Sequence, residues 1–218
     1  MNRRLWQAAG LLALFVVTAS LLDTFFGGTA RLGGEHLGQR FVAHYTAGAM
    51  AGTGNANLLY SLPHVDAFQQ QLASHYGLAI APESAVWLQH PVAALAVAPL
   101  ASLSFPWALS AWWLLSAGAL GGAMVILAGW LRSADAFAGG WRAWGPLPLL
   151  VLLSVPCIQA FGQGSGVFLA LLVLAGVVAA WRRDRPMLAG GLCGLLAMSP
   201  IVMLLPAVVL VLTCGRRA

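Results

Sequence analysis

Side chains able to do chemistry are concentrated in one stretch. Between Gly27 and Trp87 lie four of the five histidines, His36, His44, His64 and His75, with His90 just beyond, and three of the six acids. Arg40 offers a planar guanidinium that clamps a phosphate through two parallel bonds. His44 and Tyr45 follow one turn later, amphipathic rings suited to a cavity wall or to a membrane interface. Gln89 and His90 precede Pro91, where they either cap a helix or touch a ligand, and His90 is also a candidate general base. Gln163 stands between Gly162 and Gly164, an amide that needs partners if it sits deep in a membrane. The scattered histidines have no metal-ligand spacing, and no cofactor is implied.

The elements that must position these groups are membrane elements. Of the 218 residues, 60% are apolar and 8% charged, and the mean hydropathy is +0.83; a soluble domain usually carries about 25% charged residues. The composition predicts an all-α, polytopic membrane protein. The formal charge of +5 comes from eleven arginines and no lysine, and no arginine patch interleaved with aromatics suggests nucleic acid. Cys157, Cys193 and Cys214 are odd in number and lie in apolar runs, so they read as small core residues.

In chain order, Asn2-Arg3-Arg4 precedes an apolar stretch to about Phe26, long enough to cross a core of about 30 Å at about 1.5 Å per residue. Residues 1–26 are therefore expected to form a first transmembrane helix with a cytoplasmic N-terminus, rather than a cleaved signal. Residues 27–87 become a long external loop, nearly neutral where the other ends are basic. Within it, Phe41 to Ala51 and Val65 to Tyr76 have helical spacing and are expected as short amphipathic helices at the membrane surface. Residues 88–218 form the transmembrane bundle. There Leu88 to Leu103 is short for a crossing and Trp107 to Leu131 is ample, with a Gly118-x-x-x-Gly122 pair suited to close helix packing.

Two helical hairpins follow between basic flanks. The first joins Leu147 to Ala160 and Val167 to Trp181 through the polar tip Phe161-Gly162-Gln163-Gly164-Ser165-Gly166. The second, Met187 to Cys214, breaks at Ser199-Pro200. Each run of the first hairpin spans only about 21 to 23 Å, which sinks its tip below the outer surface. Non-helical backbone at that depth must be buried in protein or line a water-filled cavity. An outward-facing polar cavity lined by Gln163, Ser165 and Ser199 is expected.

The order of these features resembles glycosyltransferase family 87. The resemblance rests on Arg40-Phe-Val-Ala-His-Tyr-Thr-Ala-Gly48, Leu59-Tyr60 ahead of Phe68-Gln69-Gln70, Trp87-Leu-Gln-His-Pro91, Ala98-Pro-Leu100, Gly162-Gln163, and Arg185-Pro-Met-Leu-Ala-Gly190 running to Ser199-Pro200. It implies a C-type (GT-C) membrane fold, of which this chain resembles the N-terminal part. It also implies transfer of a hexose, mannose-like, from a polyprenyl-phosphate sugar donor to a glycan or glycolipid acceptor at the outer face of a bacterial inner membrane. Such chemistry needs a carboxylate to take the acceptor proton and donors to hold the leaving phosphate. The chain departs from the family pattern at several places. Arg40 stands about where the family has Asp, which leaves Glu35 as the nearest catalytic base. Gln89-His90-Pro91 replaces a Tyr-Pro-Pro element, Gly162-Gln163-Gly164 a Gly-Gln-Asn element, and Ser199-Pro200-Ile201 a Lys-Pro-Gln element. Carried over by position, the expected substrate-binding residues are Arg40, His44, Tyr45, Gln89, His90, Gln163, Ser165 and Ser199, with membrane lipids as further partners. Those departures also favour a non-catalytic module that binds a lipid-linked sugar or a partner. A small transporter would show an inverted repeat, and none is evident between the halves.

Overall fold

In a computed structural model of the chain, the described residues are 31–32, 35–36, 38–78, 87, 89–133 and 154–196. They form seven α-helices and one minimal hairpin, in which β1 (Arg31–Leu32) pairs antiparallel with β2 (Glu35–His36). The expected first transmembrane helix, the second half of the second hairpin and Ser199 lie outside the described residues.

Helix α1 (Gln39–Gly52) is buried on nearly every side. The sequence pattern predicts a surface helix here, and the structure places a central one. The physical reason lies in Ala43, Ala47, Gly48 and Ala51, which are small enough for neighbours to close in around the large anchors Phe41, Tyr45 and Met50. Gly48 sits against the backbone of α3 (Pro91–Ala101), where an added methyl would stand 3.0 Å from both the carbonyl carbon and oxygen of Val97. By contrast, α2 (Leu62–Tyr76) is amphipathic as expected. It buries Val65, Gln69 and Leu72, spaced four and three residues apart, and leaves Asp66, Gln70 and His75 exposed. Pro63 occupies its first turn and Gly77, at φ 64°, ends it in the left-handed conformation common at helix C-termini.

Helix α3 ends in a tight corner before α4 (Phe105–Ser133). Two tyrosines pin that corner. The Tyr45 hydroxyl donates to the Leu103 carbonyl at 2.9 Å, and the Phe105 N–H donates to the Tyr76 hydroxyl at 3.4 Å. Burial, then the neighbouring Tyr76, push the Tyr45 phenol above its ordinary pKa, which keeps its proton in place for this bond. Within α4, Phe105–Leu127 is long and apolar enough to cross a membrane, and among the described residues it is the one helix that is.

Of the first hairpin, the described residues show α5 (Val155–Gly162), a turn at residues 163–166, and α6 (Val167–Arg182); the expected run from Leu147 is interrupted at Ser154, whose backbone is extended, and residues 147–153 lie outside the described residues. Helix α6 packs between α4 and α7 (Pro186–Leu196). Of the spaced glycine pair on α4, only Gly122 meets a neighbour, Leu172 of α6, while Gly118 faces open space. Cys193 is buried between α6 and α7 and Cys157 is half-buried; both are free thiols.

Candidate functional site

The turn at residues 161–164 is the meeting point of the fold. Every carbonyl along it is taken. Phe161 O accepts from the Trp113 indole at 2.9 Å, and Gly164 O from the Trp112 indole at 2.9 Å. Gly162 O accepts from Gly38 N at 2.7 Å, and Gln163 O accepts from both Arg40 N at 2.9 Å and Phe41 N at 3.2 Å. The start of α1, which has no side-chain cap, is thus capped by backbone from far along the chain. The carbonyls of residues 161–164 are all bonded to protein, so recognition along that part of the tip falls to side chains. Gln163 is half-buried, and its amide bonds to no other described residue.

The docking of α1 on this turn sets the position of His44. Its Nδ1 lies 2.9 Å from the Arg40 carbonyl, which can only accept, so Nδ1 carries the proton and Nε2 the lone pair. Trp87 meets the imidazole edge-on with ring centroids 5.5 Å apart, and Trp112 lies 5.1 Å away at a tilt. The Gln89 amide nitrogen stands 3.4 Å from Nε2 and donates weakly to it. Gln89 is itself held, since the Tyr60 hydroxyl donates to its carbonyl at 2.8 Å. Gly166, at the start of α6, completes the surround: a methyl on it would stand 3.5 Å from Nε2. Trp87 is 4% exposed, and its indole N–H is buried with no partner among the described residues.

The structure therefore brings together Arg40 and His44 on one face of α1, Gln89 ahead of α3, and the turn that carries Gln163 and Ser165. Arg40 is exposed beside that turn. Tyr45 packs between Phe41 and Phe105, with its hydroxyl spent on the α3–α4 corner. His90 caps α3, its Nδ1 accepting from Val92 N at 3.3 Å. Glu35 is in β2, and its side chain lies outside the described residues, as does Ser199. Sequence reasoning did not single out Trp112 or Gly166. Trp112 looks like one more apolar residue in a membrane helix, and Gly166 like part of a flexible tip. Among the described residues, no group of three His, Cys, Asp or Glu is placed to hold a metal ion.

Burial holds the His44 pKa below its ordinary value, with the Arg40 hydrogen bond opposing the shift in part. The folded state therefore prefers the neutral ring. The stability from burying it is fully present above the ordinary value near 6.5 and is lost as pH falls through the lower folded value. Thermal melting of the purified protein should drop as pH falls below about 6.5. A His44→Gln variant should show a smaller drop, and an equal drop would assign the loss to other groups.

The family model for glycosyltransferase family 87 matches residues 87–218, more than half of the chain. The chain belongs to glycosyltransferase family 87. Neither the curated proteins nor the solved structures give a match. Membership makes this a glycosyltransferase by family, and the family is membrane-associated, in keeping with the apolar span of α4. For the family 87 chain, the match begins at Trp87 and takes in Gln89, His90, Gln163, Ser165 and Ser199; Glu35, Arg40, His44 and Tyr45 precede it. Hydrogen bonds from Gly38, Arg40 and Phe41 tie the start of its α1 to the tip.

Proposed function

We propose that the chain is a multi-pass membrane glycosyltransferase of the GT-C kind. It transfers a hexose from a polyprenyl-phosphate sugar to a glycan or glycolipid acceptor at the outer face of a bacterial inner membrane. The observation that carries this reading is the convergence of Arg40, His44 and Gln89 on the 163–166 turn, in a chain of a glycosyltransferase family. The exposed Arg40 guanidinium binds the donor phosphate through two parallel bonds, which an ammonium could not match. Gln89, Gln163 and Ser165 supply amide and hydroxyl groups for the sugar, and the Trp87 N–H, without a partner among the described residues, is a further buried donor. A buried donor left without a bond costs about 1–3 kcal/mol, so a ligand acceptor at Trp87 Nε1 would stabilise the complex. In this reading, residues 1–26 form the anchor, 27–87 the external segment and 88–218 the bundle.

The test is transfer of radiolabelled hexose from polyprenyl-phosphate hexose to membrane acceptors by the purified protein, compared with Arg40→Ala. Wild type should transfer, and Arg40→Ala should bind donor at least tenfold more weakly, in line with a charge-assisted contact worth about 1.5–3 kcal/mol. Donor bound tightly through Arg40 with no transfer by wild type would replace the enzyme with a binding module.

A further inference from the structure

Resting on that glycosyltransferase reading, we infer that His44 Nε2 takes the proton from the acceptor hydroxyl. The geometry leaves this atom with a defined job and no strong partner. Nδ1–H is committed to the Arg40 carbonyl, so the lone pair is fixed on Nε2. The ring is held from two sides by Trp87 and Trp112 and cannot swing away without disturbing both. Its contact with Gln89 is long, at 3.4 Å, and so is readily exchanged for a hydroxyl oxygen. Space for that oxygen exists because residue 166 is glycine, and a methyl there would lie in van der Waals contact with Nε2 at 3.5 Å.

Among the described residues, the groups packed against His44 are uncharged: Trp87 and Gln89 ahead of α3, Trp112 on α4 and Gly166 at the start of α6. Arg40, one turn earlier on α1, is the charged side chain on the same face, and its positive sign does not favour a second cation. The imidazole is therefore neutral at pH 7, as a base must be.

In the step itself, the acceptor oxygen forms a bond to the anomeric carbon of the donor sugar. The bond from that carbon to the phosphate oxygen breaks, and its electron pair leaves with the polyprenyl phosphate. The hydroxyl proton moves to Nε2, giving an imidazolium that returns to neutrality by releasing the proton to water or to the departing phosphate. His44 stands in this scheme where Glu35 would otherwise be required.

The experiment measures transfer from radiolabelled polyprenyl-phosphate hexose by wild type, His44→Gln, Glu35→Gln and Gly166→Ala, each with a melting curve and a donor-binding measurement. His44→Gln should lower kcat by roughly 10²–10⁴-fold with donor binding retained. The wild-type rate should rise through an inflection below about pH 6.5, and that inflection should vanish in His44→Gln. Gly166→Ala introduces no backbone strain, since φ is −75°. It should fold normally and lose at least tenfold in kcat, because its methyl occupies the space beside Nε2. A wild-type profile without that inflection overturns the inference even if His44→Gln fails to fold. Full transfer by His44→Gln with none by Glu35→Gln would also overturn it, moving the base to Glu35 and leaving the glycosyltransferase reading intact. No transfer by wild type would remove that reading and this inference together.

Discussion

A Gly164→Ala variant is expected to lose about 2–5 kcal/mol of folding stability, the sum of a left-handed backbone penalty of about 1–2 kcal/mol and an overpacking penalty of about 1–3 kcal/mol. Both terms are visible at the site. Gly164 has φ 69°, and an added methyl would stand 2.7 Å from Cβ of Phe41, a side chain with no exposure at all. Phe41 cannot yield, because it is wedged against Phe105 and Trp112 with ring centroids 5.8 and 5.5 Å away. The alternative is for the turn to back off, which breaks the bonds from Trp112 and from the start of α1. Gly77 supplies the control. It has nearly the same backbone, φ 64°, with nothing within 4 Å of an added methyl. Gly77→Ala should therefore lose only the backbone term, about 1–2 kcal/mol. Melting or denaturant curves of the two variants in detergent decide the matter, and equal losses would show that the approach of Phe41 to the turn is not tight.

The second large effect is expected at Gly48. Alanine in the middle of a helix ordinarily gains about 1 kcal/mol over glycine. At Gly48 that gain is opposed by backbone atoms of α3, with Val97 C and O at 3.0 Å and Ala98 N at 3.2 Å from the new methyl. Backbone cannot rotate out of the way as a side-chain tip does, so α3 must move away from α1. Gly48→Val should cost about 3 kcal/mol or more, and Gly48→Ala about 1–2 kcal/mol after its propensity gain. Gly118→Ala, in open space on α4, should instead be neutral or stabilising by up to about 1 kcal/mol. Because α3 starts just after Gln89 and His90, its displacement should also lower transfer activity in Gly48→Ala beyond the loss of folded protein. A Gly48→Ala protein as stable as wild type would remove the close α1–α3 contact.

Much of the architecture was legible in the sequence, and the reasons differ by element. Helix α2 was readable because its apolar spacing matches one buried stripe, with Pro63 in its first turn. The hairpin of α5 and α6 was readable from the glycines between two apolar runs. The boundaries of α1 were close to those expected, yet its central position was not. Alanine and glycine carry almost no amphipathic signal, so a helix small on all sides reads as a weak surface helix. The candidate residues were legible in the sequence and the bonds that place them were not. Arg40, His44, Gln89 and Gln163 stand out as polar residues in an apolar chain, but the bonds that assemble them are made by main-chain carbonyls and by two indole N–H groups. A backbone carbonyl has no letter in the sequence. His90 shows the converse case, a conspicuous imidazole whose ring caps α3.

The cap on α1 also imposes an order of events during synthesis. Gly38, Arg40 and Phe41 leave the ribosome long before Gly162 and Gln163, which supply the carbonyls their N–H groups need. The first turn is the unfavourable part of helix formation, since several dihedrals are fixed for a single bond. A nascent chain halted before Phe161 therefore presents the start of α1 with open amide donors. The turn closes on α1 only when the hairpin arrives, so a half-made chain holds Arg40 and His44 without the main-chain bonds that fix them beside it.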